Sequence, residues 1–180
     1  FRLAGHTDMV RSVTFDPTGA LVLTASTDRT ARLWDARDGR ERVCLKGHAG
    51  AVSRALFSPD GRTLLTCSDD NSARLWSVKG RLLRTLKGHA NGIWSAVFSA
   101  DGATIVTGSS DHTARIWDAA TGRMRVELKG HTGPVSCVAL SPSNDRIVTA
   151  SKDRTARVWD AATGKELTRF ASHSGWVEAV

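Results

Sequence analysis

The chain has no apolar run long enough to cross a bilayer as a helix, which excludes a helical membrane span. It does not open with a charged region followed by an apolar one. Phe1, Arg2 and Leu3 already fall inside a pattern that recurs later, so no leader is visible in these residues. Cysteine is scarce: Cys44, Cys67 and Cys137 are the only three. They form no Cys-x-x-Cys pair and occupy three different places in the recurring pattern, which argues against a disulfide framework or a thiolate metal site. Free thiols in a reducing, intracellular compartment are expected instead, the cytoplasm first and the nucleus as the alternative.

Also missing is a basic stripe interleaved with stacking aromatics. The formal charge of +7 and the pI near 10.0 would favour phosphate partners if the charge were concentrated. It is spread instead. Arg32, Arg74, Arg115 and Arg157 each stand two residues before a Trp, and Lys46, Lys87 and Lys129 each stand just before a Gly-His, so seven of the 25 basic residues belong to a repeated template. Nucleic acid is therefore not the expected partner. With 41% apolar and 24% charged residues, the composition is that of an ordinary globular chain, not a disordered one.

What is present is a decapeptide used four times. Ser26 to Asp35 (STDRTARLWD) returns as Ser68 to Ser77, Ser109 to Asp118 and Ser151 to Asp160, with Trp34, Trp76, Trp117 and Trp159 at separations of 42, 41 and 42. A period in this range signals one supersecondary unit copied along the chain, each copy leaving an apolar face for its neighbour to cover. Within a copy, Val10, Val13 and Phe15 read as a first strand ending in the turn Asp16-Pro17-Thr18-Gly19. Counterparts lead into Ser58–Gly61, Ser99–Gly102 and Ser141–Asn144, where Gly or Asn suits the left-handed position of a short hairpin. The spacing of three between the first two apolar residues breaks alternation and predicts a β-bulge. Leu21–Ser26, Thr30–Trp34 and Val43–Leu45 read as the remaining strands, and no helix is expected.

Gly5-His6 with Trp34-Asp35, Gly47-His48 with Trp76-Ser77, Gly88-His89 with Trp117-Asp118, and Gly130-His131 with Trp159-Asp160 make the chain resemble the WD40 (WD-repeat) β-propeller family. Only Ser77 departs from the Trp-Asp ending. The resemblance implies an all-β fold of four-stranded antiparallel blades in repeats at about 5–46, 47–87, 88–129 and 130–171, with a partial fifth at 172–180 opened by Ser172-His173. It further implies a hydrogen-bond tetrad in each blade: His6, Ser26, Asp28, Trp34; His48, Ser68, Asp70, Trp76; His89, Ser109, Asp111, Trp117; His131, Ser151, Asp153, Trp159. A Ser, a His and an Asp invite a hydrolase reading, but a nucleophile is built once and exposed, whereas this set recurs beside a Trp. No catalytic residue, cofactor or metal is expected, and His112, unpaired with any ligand pattern, reads as an exposed turn residue.

The family resemblance places partner binding on the face made by the loops entering each first strand and the turns between second and third strands. In this sequence the residues three and five after each repeat His vary, as does the residue before each tetrad Asp. They supply the candidate partner-binding residues Met9, Arg11, Thr27, Ser53, Asp69, Trp94, Ser110, Ser136, Lys152, Trp176 and Glu178. Trp94 and Trp176 are the two Trp residues outside the template, and exposed aromatics on such a rim act as anchors. Phe1–Leu3 and Val177–Val180 read as single strands of two incomplete blades, so the array is expected to be an open arc, completed by further chain or by another copy. The expected function is a non-catalytic scaffold for protein or peptide partners. The alternatives are a regulatory or targeting module of a multidomain signalling enzyme and, behind it, a propeller associated with a ribonucleoprotein.

Overall fold

The computed structural model describes residues 2–179. The chain folds into sixteen strands arranged as four sheets, each an antiparallel meander of four strands in sequence order. The first sheet holds β1 (Val10–Phe15), β2 (Leu21–Ser26), β3 (Ala31–Asp35) and β4 (Glu41–Leu45). The second holds β5 (Val52–Phe57), β6 (Thr63–Ser68), β7 (Ser72–Ser77) and β8 (Leu82–Lys87). The third holds β9 (Ile93–Phe98), β10 (Thr104–Ser109), β11 (Ala114–Asp118) and β12 (Met124–Leu128), and the fourth β13 (Val135–Leu140), β14 (Arg146–Ser151), β15 (Ala156–Asp160) and β16 (Glu166–Phe170). No helix occurs among the described residues.

The bulge expected near the start of each first strand is present in every sheet. Val10 pairs with Ser26 and Ser12 with Ala25, leaving Arg11 as the extra residue. Ser53, Trp94 and Ser136 are left over in the same way in β5, β9 and β13. The turns after these strands also follow the sequence reading, with φ of 74° at Gly19, 70° at Gly61, 71° at Gly102 and 59° at Asn144. The hairpins between second and third strands place Arg29, Asn71, His112 and Arg154 at φ of 67–69°.

The chain divides into two compact units, residues 1–87 and 88–180. In the first, the second sheet covers the first. Leu23, Ala25, Ala31, Leu33 and Leu45 pack against Val52, Ala55, Phe57, Leu64 and Trp76. In the second unit the same positions meet: Val106, Ala114, Ile116 and Leu128 against Val135, Val138, Ile147 and Trp159. Gly108 stands where other copies have Ala or Cys, and a Cβ there would come within 2.8 Å of Val135 and 2.9 Å of Val138. The start of the fifth copy docks on the fourth sheet, with Val177 buried beside Ala150 and Ala156 and its N–H donating to the Ser151 carbonyl at 3.1 Å.

The two flanking strands expected at the chain ends do not form among the described residues. Residues 2–3 and 177–179 belong to no strand; Phe1 and Val180 lie outside the described residues. The leading face of the first sheet is likewise bare. Val13 is 66% and Phe15 62% exposed, where Ala55 and Phe57 of the second sheet are 1% and 9% exposed.

Candidate functional site

Inside each sheet a chain of hydrogen bonds links four side chains, and its hydroxyl is not the one expected. The Trp34 indole N–H donates to Thr24 Oγ1 at 2.8 Å, Thr24 Oγ1 lies 2.7 Å from His6 Nε2, and His6 Nδ1 lies 2.8 Å from Asp28 Oδ2. Thr66, Thr107 and Thr149 bridge the indole and imidazole of the other three sheets in the same manner, at 2.7–2.9 Å. The indole can only donate and the carboxylate only accept, so His Nδ1 donates to Asp and the Thr oxygen accepts from the indole; with a neutral imidazole the Thr proton goes to Nε2.

Strand register explains the correction from Ser to Thr. Trp34 pairs with Val22, so on that face of β2 the next side chain is Thr24, and Ser26 lies one step further, at the hairpin. Ser26 Oγ accepts the Asp28 N–H at 3.1 Å and donates to the Asp8 carbonyl at 3.2 Å, tying turn to entry loop. Ser68, Ser109 and Ser151 do the same for Asp70, Asp111 and Asp153 and for the carbonyls of Gly50, Asn91 and Gly133. The recurrence of Thr two residues before each Ser was the available signal.

Each Asp takes more than the imidazole. Asp70 accepts from the Ala49 N–H at 3.0 Å and from the Ser72 N–H and hydroxyl at 3.0 and 2.6 Å. Burial pushes its carboxyl up, but these donors and His48 together outweigh it and hold the pKa at about 2. Asp28, Asp111 and Asp153 are shifted in the same direction by the same competition. Burial drives His48 and His131 below their ordinary value against the pull of Asp70 and Asp153. Both nitrogens of each imidazole and the Thr hydroxyl between indole and imidazole are thus engaged within the sheet.

The template Gly and Arg also meet. A Cβ on Gly47 would lie 2.6 Å from the Arg74 guanidinium, and Gly88 and Gly130 are crowded in the same way by Arg115 and Arg157. Three of these guanidinium groups pair with a Glu on the fourth strand: Arg32 with Glu41 at 2.5 Å, Arg115 with Glu127 at 2.6 Å, and Arg157 with Glu166 at 2.7 Å.

The rim is built from the residues this interior leaves over. In each sheet the N–H of the residue before the tetrad Asp (Thr27, Asp69, Ser110, Lys152) donates at 2.9 Å to the carbonyl of the residue three after the His, Met9, Ala51, Gly92 or Pro134. Between sheets, the bulge residue of one reaches the turn residue of the next. Arg11 Nη1 lies 3.3 Å from Asp69 Oδ2 in the first unit. In the second, Lys152 Nζ lies 4.8 Å from the ring centre of Trp94 and 4.3 Å from that of Trp176. Each such cation–π contact contributes about 0.5–1 kcal/mol at an exposed site. The two smaller bulge residues turn back to their own sheets: Ser53 Oγ donates to the Cys67 carbonyl at 3.1 Å, and Ser136 Oγ to those of Ala150 at 3.1 Å and Val177 at 2.5 Å. Thr27 Oγ1 donates to the Met9 carbonyl at 3.2 Å, Ser110 is half-buried, and Met9, Trp176 and Glu178 are exposed. His112 is an exposed turn residue, as expected.

The sequence profile of the family described as WD domain, G-beta repeat matches residues 1–35, 39–77, 80–118 and 122–160. The chain belongs to the WD40 family. Among curated WD-repeat relatives, WD repeat and SOCS box-containing protein 1 of Danio rerio is 52% identical over 42 residues, 23% of this chain and 10% of that protein. Ribosome assembly protein 4 of Saccharomyces cerevisiae is 44% identical over 39 residues, 22% of this chain and 8% of that protein. The matched stretches thus span about a tenth of these relatives' length. Each WD40 profile match ends on the Trp-Asp or Trp-Ser pair that closes a third strand, so the second, third and fourth matches each join the fourth strand of one sheet to three strands of the next.

At the strand ends opposite the rim, this WD40 array has a cavity of about 300 Å³ in the second unit, lined in part by Arg125, Asn144, Asp145 and Asp160. Its polar groups are already engaged. Arg125 pairs with Asp118, Asn144 accepts the Ala100 N–H, Asp145 accepts from Ser141 and Ser143, and Asp160 accepts from Thr163. Among the described residues, no group of three or more His, Cys, Asp or Glu side chains is placed to hold a metal.

Proposed function

We propose that this WD40 array is a non-catalytic scaffold that binds protein or peptide partners on the rim made by its first-strand bulges and second hairpins. One observation carries the reading: the variable positions are the ones that converge, Arg11 on Asp69 and Trp94 with Trp176 on Lys152, while the repeated polar residues are consumed inside the sheets. WD40 repeats generally mediate protein–protein interaction. A rim that presents the half-buried Trp94, the exposed Trp176 and a few charged side chains suits recognition by a small number of anchors. The bare leading face with Val13 and Phe15 supports completion of the array by a further sheet, from the rest of a longer chain or from another copy. Three free cysteines, with the Cys67 thiol pushed up to about 12 by burial, fit a reducing intracellular setting.

The test is affinity purification with the wild-type chain against an Arg11→Ala, Trp94→Ala, Trp176→Ala triple variant, followed by binding measurements with each purified partner. Partners that lose affinity with the triple variant support the rim. Partners retained undiminished would place recognition elsewhere. The alternative of a propeller associated with a ribonucleoprotein draws on the +7 charge and on the name of the yeast relative, a ribosome assembly protein. Retention of all captured partners after nuclease treatment excludes it.

A further inference from the structure

Lys152 is a cation held in place with nothing negative to answer it. Its ammonium sits between the rings of Trp94 and Trp176, and its backbone is fixed by the N–H bond to Pro134 and by the closed hairpin from Ser151 to Thr155. Among the described residues it has no carboxylate within ion-pairing distance. The comparable turn residue of the first unit, Asp69, is already matched by Arg11. On the same hairpin Arg154 is exposed, and the Asp153 carboxylate between the two cations is turned inward to His131, Thr155 and the Thr132 N–H. The hairpin therefore offers positive charge outward and spends its negative charge inside.

We propose that Trp94, Lys152 and Trp176 form a binding site for an acidic peptide, with a Glu or Asp carboxylate received by the Lys152 ammonium and an adjoining apolar side chain laid on the outer surface of Trp176. The inference rests on the rim reading above and names the chemistry of its partner. A lysine ordinarily loses rotamer freedom when it pairs; here the two rings have already restricted it, so less is lost on binding. Trp176, 62% exposed, supplies uncovered aromatic surface beside the charge. The overall charge of +7 attracts an anionic ligand from a distance.

The experiment is fluorescence anisotropy with a short labelled peptide of alternating Glu and Leu, its Gln-for-Glu counterpart, and a single-stranded uridine oligonucleotide. Each is titrated against the wild-type chain and the Lys152→Gln and Arg11→Gln variants, with circular dichroism confirming the fold. Binding of the Glu peptide is expected to weaken about tenfold in Lys152→Gln and on the Gln counterpart, and to stay within about twofold in Arg11→Gln. Equal affinity of wild type and Lys152→Gln overturns the proposal, as does tighter binding of the oligonucleotide or no peptide binding at all. Loss in Arg11→Gln alone overturns this site while leaving the rim reading standing; failure of the purification test in turn removes the rim reading itself.

Discussion

The interior of a blade and its rim are made by neighbouring residues on the same strands, yet they follow opposite rules. On β2, Thr24 and Ser26 face the same way, and both are repeated in all four sheets because each closes a hydrogen-bond circuit that has no substitute. One residue beyond Ser26, the chain carries Thr27, then Asp69, Ser110 and Lys152 in the other copies, with no shared chemistry. The difference follows from connectivity. Thr24 and Ser26 each answer to a donor and an acceptor at once, so replacing either strands two groups inside the sheet, whereas the rim side chains bond only to nearby carbonyls, to one another or to solvent.

The contrast is broken most severely by taking the indole away. Trp117→Ala should cost about 3–5 kcal/mol by chemical denaturation, since it opens a cavity around a side chain that is 1% exposed. Trp176→Ala, the same chemical change on the rim, should stay within about 1 kcal/mol, the size of its contact with Lys152. Equal losses would mean that the rim residue also holds the fold. Next in size, Thr66→Val keeps shape but leaves the Trp76 N–H and His48 Nε2 without a partner, for an expected loss of about 1–3 kcal/mol. An unchanged unfolding midpoint would show that the Thr hydroxyl is dispensable.

Acid tests the circuit as a whole. His48 is held below its ordinary 6.5 by burial, so the unfolded chain binds its proton more readily, and the stability it confers is full above about pH 6.5 and declines below it. Asp70 is held at about 2 from an ordinary 3.8, so its contribution is full above about pH 4 and is lost as the pH falls through about 2. Scanning calorimetry from pH 7 to pH 3 should therefore show Tm falling throughout, in two stages; a flat profile between pH 7 and 5 would count against neutral buried imidazoles. The smallest effect belongs to the rim. Arg11→Gln or Asp69→Asn breaks a half-exposed pair and should change stability by less than about 1 kcal/mol, and a larger change would make that pair part of the scaffold.

How much could be read beforehand follows the same division. The strands, turns and bulges were legible because each leaves a spacing: the three-residue step from Val10 to Val13, the Gly or Asn at 19, 61, 102 and 144, and the Trp period. Three of the four circuit members were legible through the family resemblance. The hydroxyl is not legible that way, since Ser26 and Thr24 share a face and recur equally; only the pairing of Trp34 with Val22 decides which one the indole reaches. Candidate rim residues were legible as variable positions, but their pairing was not. Nothing in the sequence says that a residue at 94 and one at 152 or 176 will be neighbours, because that adjacency is produced by sheet packing and not by strand alternation.

The bulge turns this into a practical property of the molecule. Arg11, Ser53, Trp94 and Ser136 are each the one residue of their strand that stands outside the ladder register. Exchanging such a side chain asks nothing of the pairing on either side, so each bulge behaves as an interchangeable socket beside a fixed one on the next hairpin. Arg11→Trp combined with Asp69→Lys would transplant the Trp94–Lys152 contact into the first unit while leaving every tetrad intact. The side chains of the rim are therefore editable two residues at a time, independently of the tetrad residues inside the sheets.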